Sequence, residues 1–223
     1  MPVSIYILVA LAAYLLGSIP FGYIVAKAKG IDIRAVGSGN IGATNAMRVL
    51  GKPAGITVLL MDALKGYAAC AVVTPLLVSG LAAHYASLAP SFFAEPPEIQ
   101  TRLYVLAGVF AVLGHNYTCW LKFKGGKGIA TTAGVYLALA PWALLVALLV
   151  FIAALLLSRI VSVASMLAAV ALPVTVWVVA PHNLLLGVVT SALGALAIYK
   201  HKSNIQRLLA GTENRFGKKK ETK

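Results

Sequence analysis

Charged side chains are scarce in this sequence: they make up 11% of its 223 residues, against 60% hydrophobic residues and a mean hydropathy of +0.89. Soluble domains carry about 25% charged and roughly 45–50% apolar residues, so a water-soluble globule is excluded. Cysteine is nearly missing as well. Cys70 and Cys119 both lie in apolar segments and read as small buried hydrophobes, not as a disulfide or metal pair. No Cys/His cluster has zinc-site spacing. No basic stretch precedes the first apolar run, whose first following charge is Lys27, so residues 3–25 are expected to be a retained helix with its N-terminus outside. Acidic residues number six against nineteen lysines and arginines, a formal charge of +13. That balance is compatible with nucleic acid, anionic lipid or a phosphorylated substrate, and composition alone does not choose.

What the chain has in abundance is long apolar runs. They recur at about 3–25, 54–80, 102–121, 160–180 and 183–199, with an ambiguous region at 128–157. Each clear run is long enough to cross, as a helix, a hydrocarbon core about 30 Å thick. Helices are required because unpaired backbone groups in lipid cost several kcal/mol and no barrel-like alternation is present. The ambiguous region sets the topology. As one helix it strands the basic tail opposite Lys122, Lys124 and Lys127; as helices of about 128–139 and 142–157 joined at Ala140-Pro141, it keeps the basic segments on one side. Pro141 lacks a backbone donor and disfavours helical geometry in Ala140, although a Pro-kinked helix is the alternative. The expected fold class is therefore all-α, a polytopic membrane protein of about seven transmembrane helices with a short hairpin near Pro141, the C-terminus and basic loops facing the cytoplasm. The connection at 81–101, with Pro90, Pro96, Pro97, Glu95 and Glu98, reads as an external loop. A single domain over 1–223 is expected, ending in a basic tail from 200 to 223.

Three polar segments carry the chemistry. Gly37 through Arg48 combines Gly37, Gly39 and Gly42 with the neutral donors Ser38, Asn40, Thr44 and Asn45 and the charge of Arg48. Glycine lets a backbone approach a ligand closely and present N–H groups to an anion; a flexible connection is the plainer alternative. The second segment runs from Gly114-His115-Asn116 to Lys122-Phe123-Lys124-Gly125-Gly126-Lys127-Gly128, just before a helix. A helix N-terminus favours phosphate, but Gly128 stands where a P-loop needs Ser or Thr for magnesium. Flanking positive charge explains the lysines there and leaves the interleaved glycines unexplained. The third, His201 to Glu213, places Ile205, Leu208 and Leu209 at helical spacing, as in a surface-lying amphipathic helix, and adds an ionisable ring and a carboxylate. Ser158, Arg159, Ser162 and Ser165 cluster near one proposed cytoplasmic end, where serines pack helices. Asp62 and Lys65 share a face in the second span, as either a functional pair or a packing pair.

Taken together, SGNIGATNAMR, GHNYTCWLKFKGGKGIAT and HKSNIQRLLAGTE resemble the three signature segments of the bacterial membrane glycerol-3-phosphate acyltransferases that use acyl phosphate, the PlsY family. The resemblance covers essentially the whole chain in order and spacing, with Lys202-Ser203 where the family more often carries Arg-Glu. It implies acyl transfer from acyl phosphate to the 1-hydroxyl of sn-glycerol 3-phosphate in the bacterial inner membrane, giving lysophosphatidate and phosphate. It also implies catalytic roles for His201, Asn204, Ser38 and Lys127. Phosphate contacts fall to Ser38, Gly39, Asn40, Gly42, Thr44, Asn45, Arg48, Lys124, Gly125, Gly126, Lys127 and Gly128, and substrate contacts to His115, Ser165, His201, Asn204, Arg207 and Glu213. No cofactor, metal or nucleic acid is implied; the partners are the two substrates, membrane lipid and the enzyme that makes acyl phosphate. None of the four histidines has Asp five residues later, so the His-x4-Asp dyad of other glycerolipid acyltransferases is missing. Two other classes compete. A transporter for a phosphorylated metabolite predicts internal repeats and half-helix ends at mid-membrane, which the sequence lacks. A lipid-binding scaffold explains the tail but not the other two segments.

Overall fold

The computed structural model describes residues 2–84 and 96–216, with side chains 81–84 excepted. Its regular structure is helical, and the chain divides into two compact units, Met1–Leu139 and Ala140–Lys223.

In the first unit α1 (Val3–Ser18) and α2 (Phe21–Lys27) form one apolar stretch broken at Ile19-Pro20. Pro20 has no N–H to donate and pushes Ile19 out of helical geometry, to φ −57° and ψ 114°. The helix expected over 3–25 is therefore two helices. A break inside a membrane frees carbonyls that must find donors. Two distant side chains supply them: Thr118 Oγ1 donates to Ser18 O at 2.6 Å and Lys65 Nζ to Ile19 O at 2.9 Å.

A loop leads to α3 (Ala43–Leu50), and Gly51, at φ 92°, turns the chain into α4 (Lys52–Ala68). After a wide π turn at Ala69–Val73 the helix continues as α5 (Thr74–His84). Pro75 removes a donor here, and Thr74 Oγ1 donates to Ala69 O at 2.7 Å. The helix expected at 102–121 is found as α6 (Pro97–Asn116): prolines suit the first turn of a helix, so Pro96-Pro97 start it early, and polar Glu98, Gln100 and Arg102 ride in its first turns. Of the expected external loop at 81–101, Pro90 and Glu95 lie outside the described residues. A 3₁₀ turn at Cys119–Leu121 and a glycine-lysine loop lead to α7 (Ile129–Leu139). Small residues let these helices approach closely. A Cβ on Gly17 would strike the Ala111 backbone, one on Gly114 the Tyr14 carbonyl, and one on Gly134 the Ala63 carbonyl.

In the second unit α8 (Pro141–Ser158) starts where a break is expected, with Ala140 out of helical geometry before it, at φ −154° and ψ 73°. Arg159, left-handed at φ 57°, turns the chain into α9 (Val161–Val179), and Ser158 Oγ accepts from Ile160 N at 3.1 Å. Asn183 caps α10 (Leu184–Lys200) by accepting from Leu186 N at 3.0 Å. The helix then bends by 53° into α11 (Lys202–Leu209). Among the described residues Val3–Lys27, Lys52–Gly80, Pro141–Ser158 and Val161–Val179 are long and apolar enough to cross a membrane, and the bent pair adds a fifth if it counts as one span. With its 11 residues α7 is about 16 Å long, roughly half a hydrocarbon core.

Candidate active site

The loop before α3 is built around Asn45. Its side chain is buried, and every polar atom on it is engaged by the loop itself. Oδ1 accepts from Ser38 N at 2.9 Å, while Nδ2 donates to Asn40 O at 2.9 Å, Val36 O at 3.1 Å and, more weakly, Ile33 O at 3.3 Å. Gly37 and Gly39 take positive φ, and a Cβ on Gly37 would collide with Asn45 Oδ1. Asn40 Oδ1 accepts from Gly42 N at 2.8 Å, the turn-forming bond typical of Asn. Beneath the loop Ile33, Ile41 and Ala46 pack with Ala26, Val58 and Leu121. Asn45, Asn40 and the Gly42 amide thus hold the loop, and the exposed groups it presents are Ser38, Thr44 and Arg48. On the approach to the loop Arg34 forks onto Asp32, at 2.9 and 2.7 Å, and lies 4.9 Å over the Tyr23 ring. Its hydrogen bonds hold the Asp32 carboxyl down at about 2.

The second segment folds onto the end of α6. Gly125 N donates to Asn116 O at 3.2 Å and Gly126 N to His115 O at 3.0 Å, so these two amides close the turn and are not aimed outward. Gly126 lies flat on the His115 imidazole: an added Cβ would strike Nε2. Gly128, at φ 84°, sits against the Asn116 amide. His115 itself is buried, with Nδ1 3.5 Å from Asp62 Oδ1, and Asp62 Oδ1 is 2.8 Å from Lys65 Nζ. Lys122 and Phe123 are both left-handed, which turns Lys122, Phe123 and Lys124 outward, while Lys127 is half-buried.

In the second unit the tail folds back on α11. Gly211, at φ 68°, ends the helix, and Phe216 N donates to Arg159 O at 2.6 Å. Between them Glu213 accepts from Asn204 Nδ2 and Arg207 Nε, both at 2.7 Å, and from Ser162 Oγ at 3.1 Å. Burial pushes the Glu213 carboxyl up, but the hydrogen bonds from Asn204 and Arg207, the Arg207 charge and Ser162 outweigh it and hold the group below the usual range. His201 is buried and its Nδ1 lies 2.8 Å from Ala197 O; a carbonyl only accepts, so Nδ1 carries a proton, and in the neutral ring the lone pair is on Nε2. Ser165 is buried on α9, three residues from Ser162.

The expected site residues therefore gather as three groups, two in the first unit and one in the second. Ser38, Gly39, Asn40, Gly42, Thr44, Asn45 and Arg48 share one loop and helix start, and Lys124 to Gly128 share another with His115. Asn204, Arg207 and Glu213 meet directly in the second unit, with His201 one helical turn from Asn204. Ser162 as a Glu213 partner was missed; its spacing from Ser165 is the signal that points to one inward face of α9.

A family model described as glycerol-3-phosphate acyltransferase matches residues 7–211. A glycerol-3-phosphate acyltransferase of Geobacter metallireducens is 49% identical over 212 residues, covering 95% of this chain and 98% of its own. One of Geotalea daltonii is 44% identical over 210 residues, covering 94% and 97%. The crystal structure of PlsY, an integral membrane glycerol 3-phosphate acyltransferase in its glycerol 3-phosphate form, matches with a TM-score of 0.78 and 39% identity, over 95% of this chain and 96% of that one. Helices of this length and apolarity, together with these matches, define the class: an integral membrane acyltransferase. The chain belongs to the glycerol-3-phosphate acyltransferase family, and within it to the PlsY type.

Proposed function

We propose that this protein moves a fatty acyl group from acyl phosphate to the 1-hydroxyl of sn-glycerol 3-phosphate, releasing lysophosphatidate and inorganic phosphate. The observation that carries this reading is the Asn45-braced loop. It holds Ser38, Thr44 and Arg48 exposed on a backbone braced by the Asn45 side chain, a preorganised station for a phosphate dianion. Lys127 adds its charge for the phosphate of glycerol 3-phosphate. His201 and Asn204 orient the glycerol portion.

The acceptor oxygen attacks the acyl carbonyl carbon, the carbonyl-to-phosphate C–O bond breaks, and the pair of electrons leaves with phosphate. The hydroxyl proton passes to the departing phosphate, which lies beside the nucleophile by necessity, so no covalent acyl-enzyme is needed. In its neutral form His201, with Nδ1 donating to Ala197 O, is suited to accept at Nε2 a hydrogen bond from the acceptor's hydroxyl. Cationic side chains neutralise the phosphates, so magnesium is not demanded.

The basic segments at Lys27, Lys29, Arg34, Arg48, Lys122–Lys127 and Arg159 and the tail support seven crossings of a bacterial inner membrane. In that topology the N-terminus is outside and the active site cytoplasmic, near the enzyme that makes acyl phosphate. The test is donor choice with purified protein and labelled glycerol 3-phosphate. Lysophosphatidate forms with acyl phosphate and not with acyl-CoA or acyl carrier protein; efficient use of either thioester defeats the reading.

A further inference from the structure

A buried ionic cluster in the first unit has no part in the chemistry above. Asp62, Lys65 and His115 are each at most 5% exposed and come from two helices. Asp62 Oδ1 lies 2.8 Å from Lys65 Nζ and 3.5 Å from His115 Nδ1, and Lys65 Nζ donates onward to Ile19 O at the break between α1 and α2. On its other edge the His115 ring carries Gly126, packed so closely that even a methyl group would strike the imidazole. Gly125 and Gly126 also bond back to the carbonyls of Asn116 and His115. The next residue is Lys127.

We infer that Asp62, Lys65 and His115 are positioning residues: anchored on the broken first helix, they fix the imidazole against which the Gly125–Gly126 turn is seated, and so set where Lys127 meets a substrate phosphate. This rests on the reading of Lys127 as a phosphate ligand. Burying three ionisable groups is expensive, and well-packed apolar residues would hold helices together at least as well. An ionic cluster adds direction. Lys65 has one arm on a carbonyl that only the Ile19-Pro20 break exposes, so the register of α4 against α1 is fixed to within a hydrogen bond. Asp62 passes that register to His115, and the contact with Gly126 passes it to the loop. Both glycines are needed for the same reason: a Cβ at Gly125 would strike His115 O.

The test removes both charges together, Asp62→Asn with Lys65→Met, because either alone leaves an uncompensated buried ion. Two readouts are taken on full-length detergent-purified protein: amide exchange, and calorimetric affinity for glycerol 3-phosphate without any acyl donor. Exchange is expected to quicken in peptides spanning 121–131 and to stay unchanged in α8–α10. Affinity is expected to fall by about tenfold or more, the range of one lost charge-assisted contact. Adding Lys127→Ala to that background then weakens binding by less than about twofold further, because a displaced lysine has little left to lose. Unchanged exchange at 121–131, unchanged affinity, or a full Lys127→Ala effect in the double variant each overturns the inference. Should the double variant fail to fold, Gly126→Ala, whose Cβ strikes the imidazole first, is judged by the same outcomes. A wild-type protein that does not bind glycerol 3-phosphate defeats the reading of the site; a wild type that binds beside an indifferent variant defeats this inference alone.

Discussion

Replacing Asn45 with aspartate changes one atom's chemistry and almost nothing in size, yet the structure requires it to be among the more damaging substitutions in the chain. The amide nitrogen faces three carbonyls, of Asn40, Val36 and Ile33. A carboxylate there turns donor into acceptor against all three. Protonation recovers one donor, which serves one carbonyl. Counting the Ser38 amide bond with the two shorter carbonyl bonds, and about 1 kcal/mol for each, the side chain contributes about 3 kcal/mol to the order of the loop. Asn45→Ala forfeits all of that. Asn45→Asp keeps the Ser38 bond but adds carbonyl–carboxylate repulsion, so it is expected to match or exceed the alanine variant. If ligand binding must restore the loop, affinity for glycerol 3-phosphate falls by up to about 100-fold in either variant. Calorimetry and thermal unfolding of both variants measure this. An aspartate variant with wild-type affinity and melting temperature refutes the claim that Asn45 is a brace.

His201→Ala is expected to raise KM for glycerol 3-phosphate while kcat and the acidic limb of the pH profile persist. A collapse of kcat by about 10²–10⁴ with unchanged KM makes His201 the general base instead. Glu213→Gln is expected to free the tail, seen as faster exchange at 212–216, at a cost of about 2 kcal/mol once solvent screening at the half-exposed Arg207 is discounted. Because the Glu213 carboxyl is held below its ordinary value, this clasp is complete at and above the usual glutamate range and is lost as pH falls through the lowered value. Tail protection that is indifferent to acid rules that out. In a background lacking the native cysteines, Ala35→Cys and Ser203→Cys are expected to label only from the cytoplasm and His182→Cys only from outside; labelling of position 203 from outside excludes the seven-crossing topology.

The helical segments were legible because apolar length and proline chemistry act locally. Ala140-Pro141 interrupts the chain where expected, since the missing N–H and the steric demand on the preceding residue are properties of the dipeptide. Pro20 obeys the same rule but was hidden inside an unbroken apolar run. The start of α6 was misplaced because polarity, not helix chemistry, set the expected boundary; Pro96-Pro97 was the better signal. For the polar segments the residue types were readable and the division of labour was not. Asn45 and Ser38 look alike as neutral donors, yet one is buried with partners at Ile33, Val36 and Asn40 and the other is exposed. Gly125 and Gly126 suit a phosphate loop by composition, but their amides close a turn, because what lies beneath them is His115 from another helix. Glu213 and Arg207 are six residues apart across a helix end, so their pairing depends on a left-handed turn at Gly211.

The central claim is attack at the acyl carbon of an acyl phosphate, and one measurement tests it directly. Purified protein is given acyl phosphate carrying ¹⁸O in its bridging position together with glycerol 3-phosphate, and the products are followed by ³¹P NMR. Lysophosphatidate and inorganic phosphate are expected to rise together, with the ¹⁸O in the phosphate. No consumption of acyl phosphate, or ¹⁸O left in a free fatty acid beside a doubly phosphorylated glycerol, contradicts it.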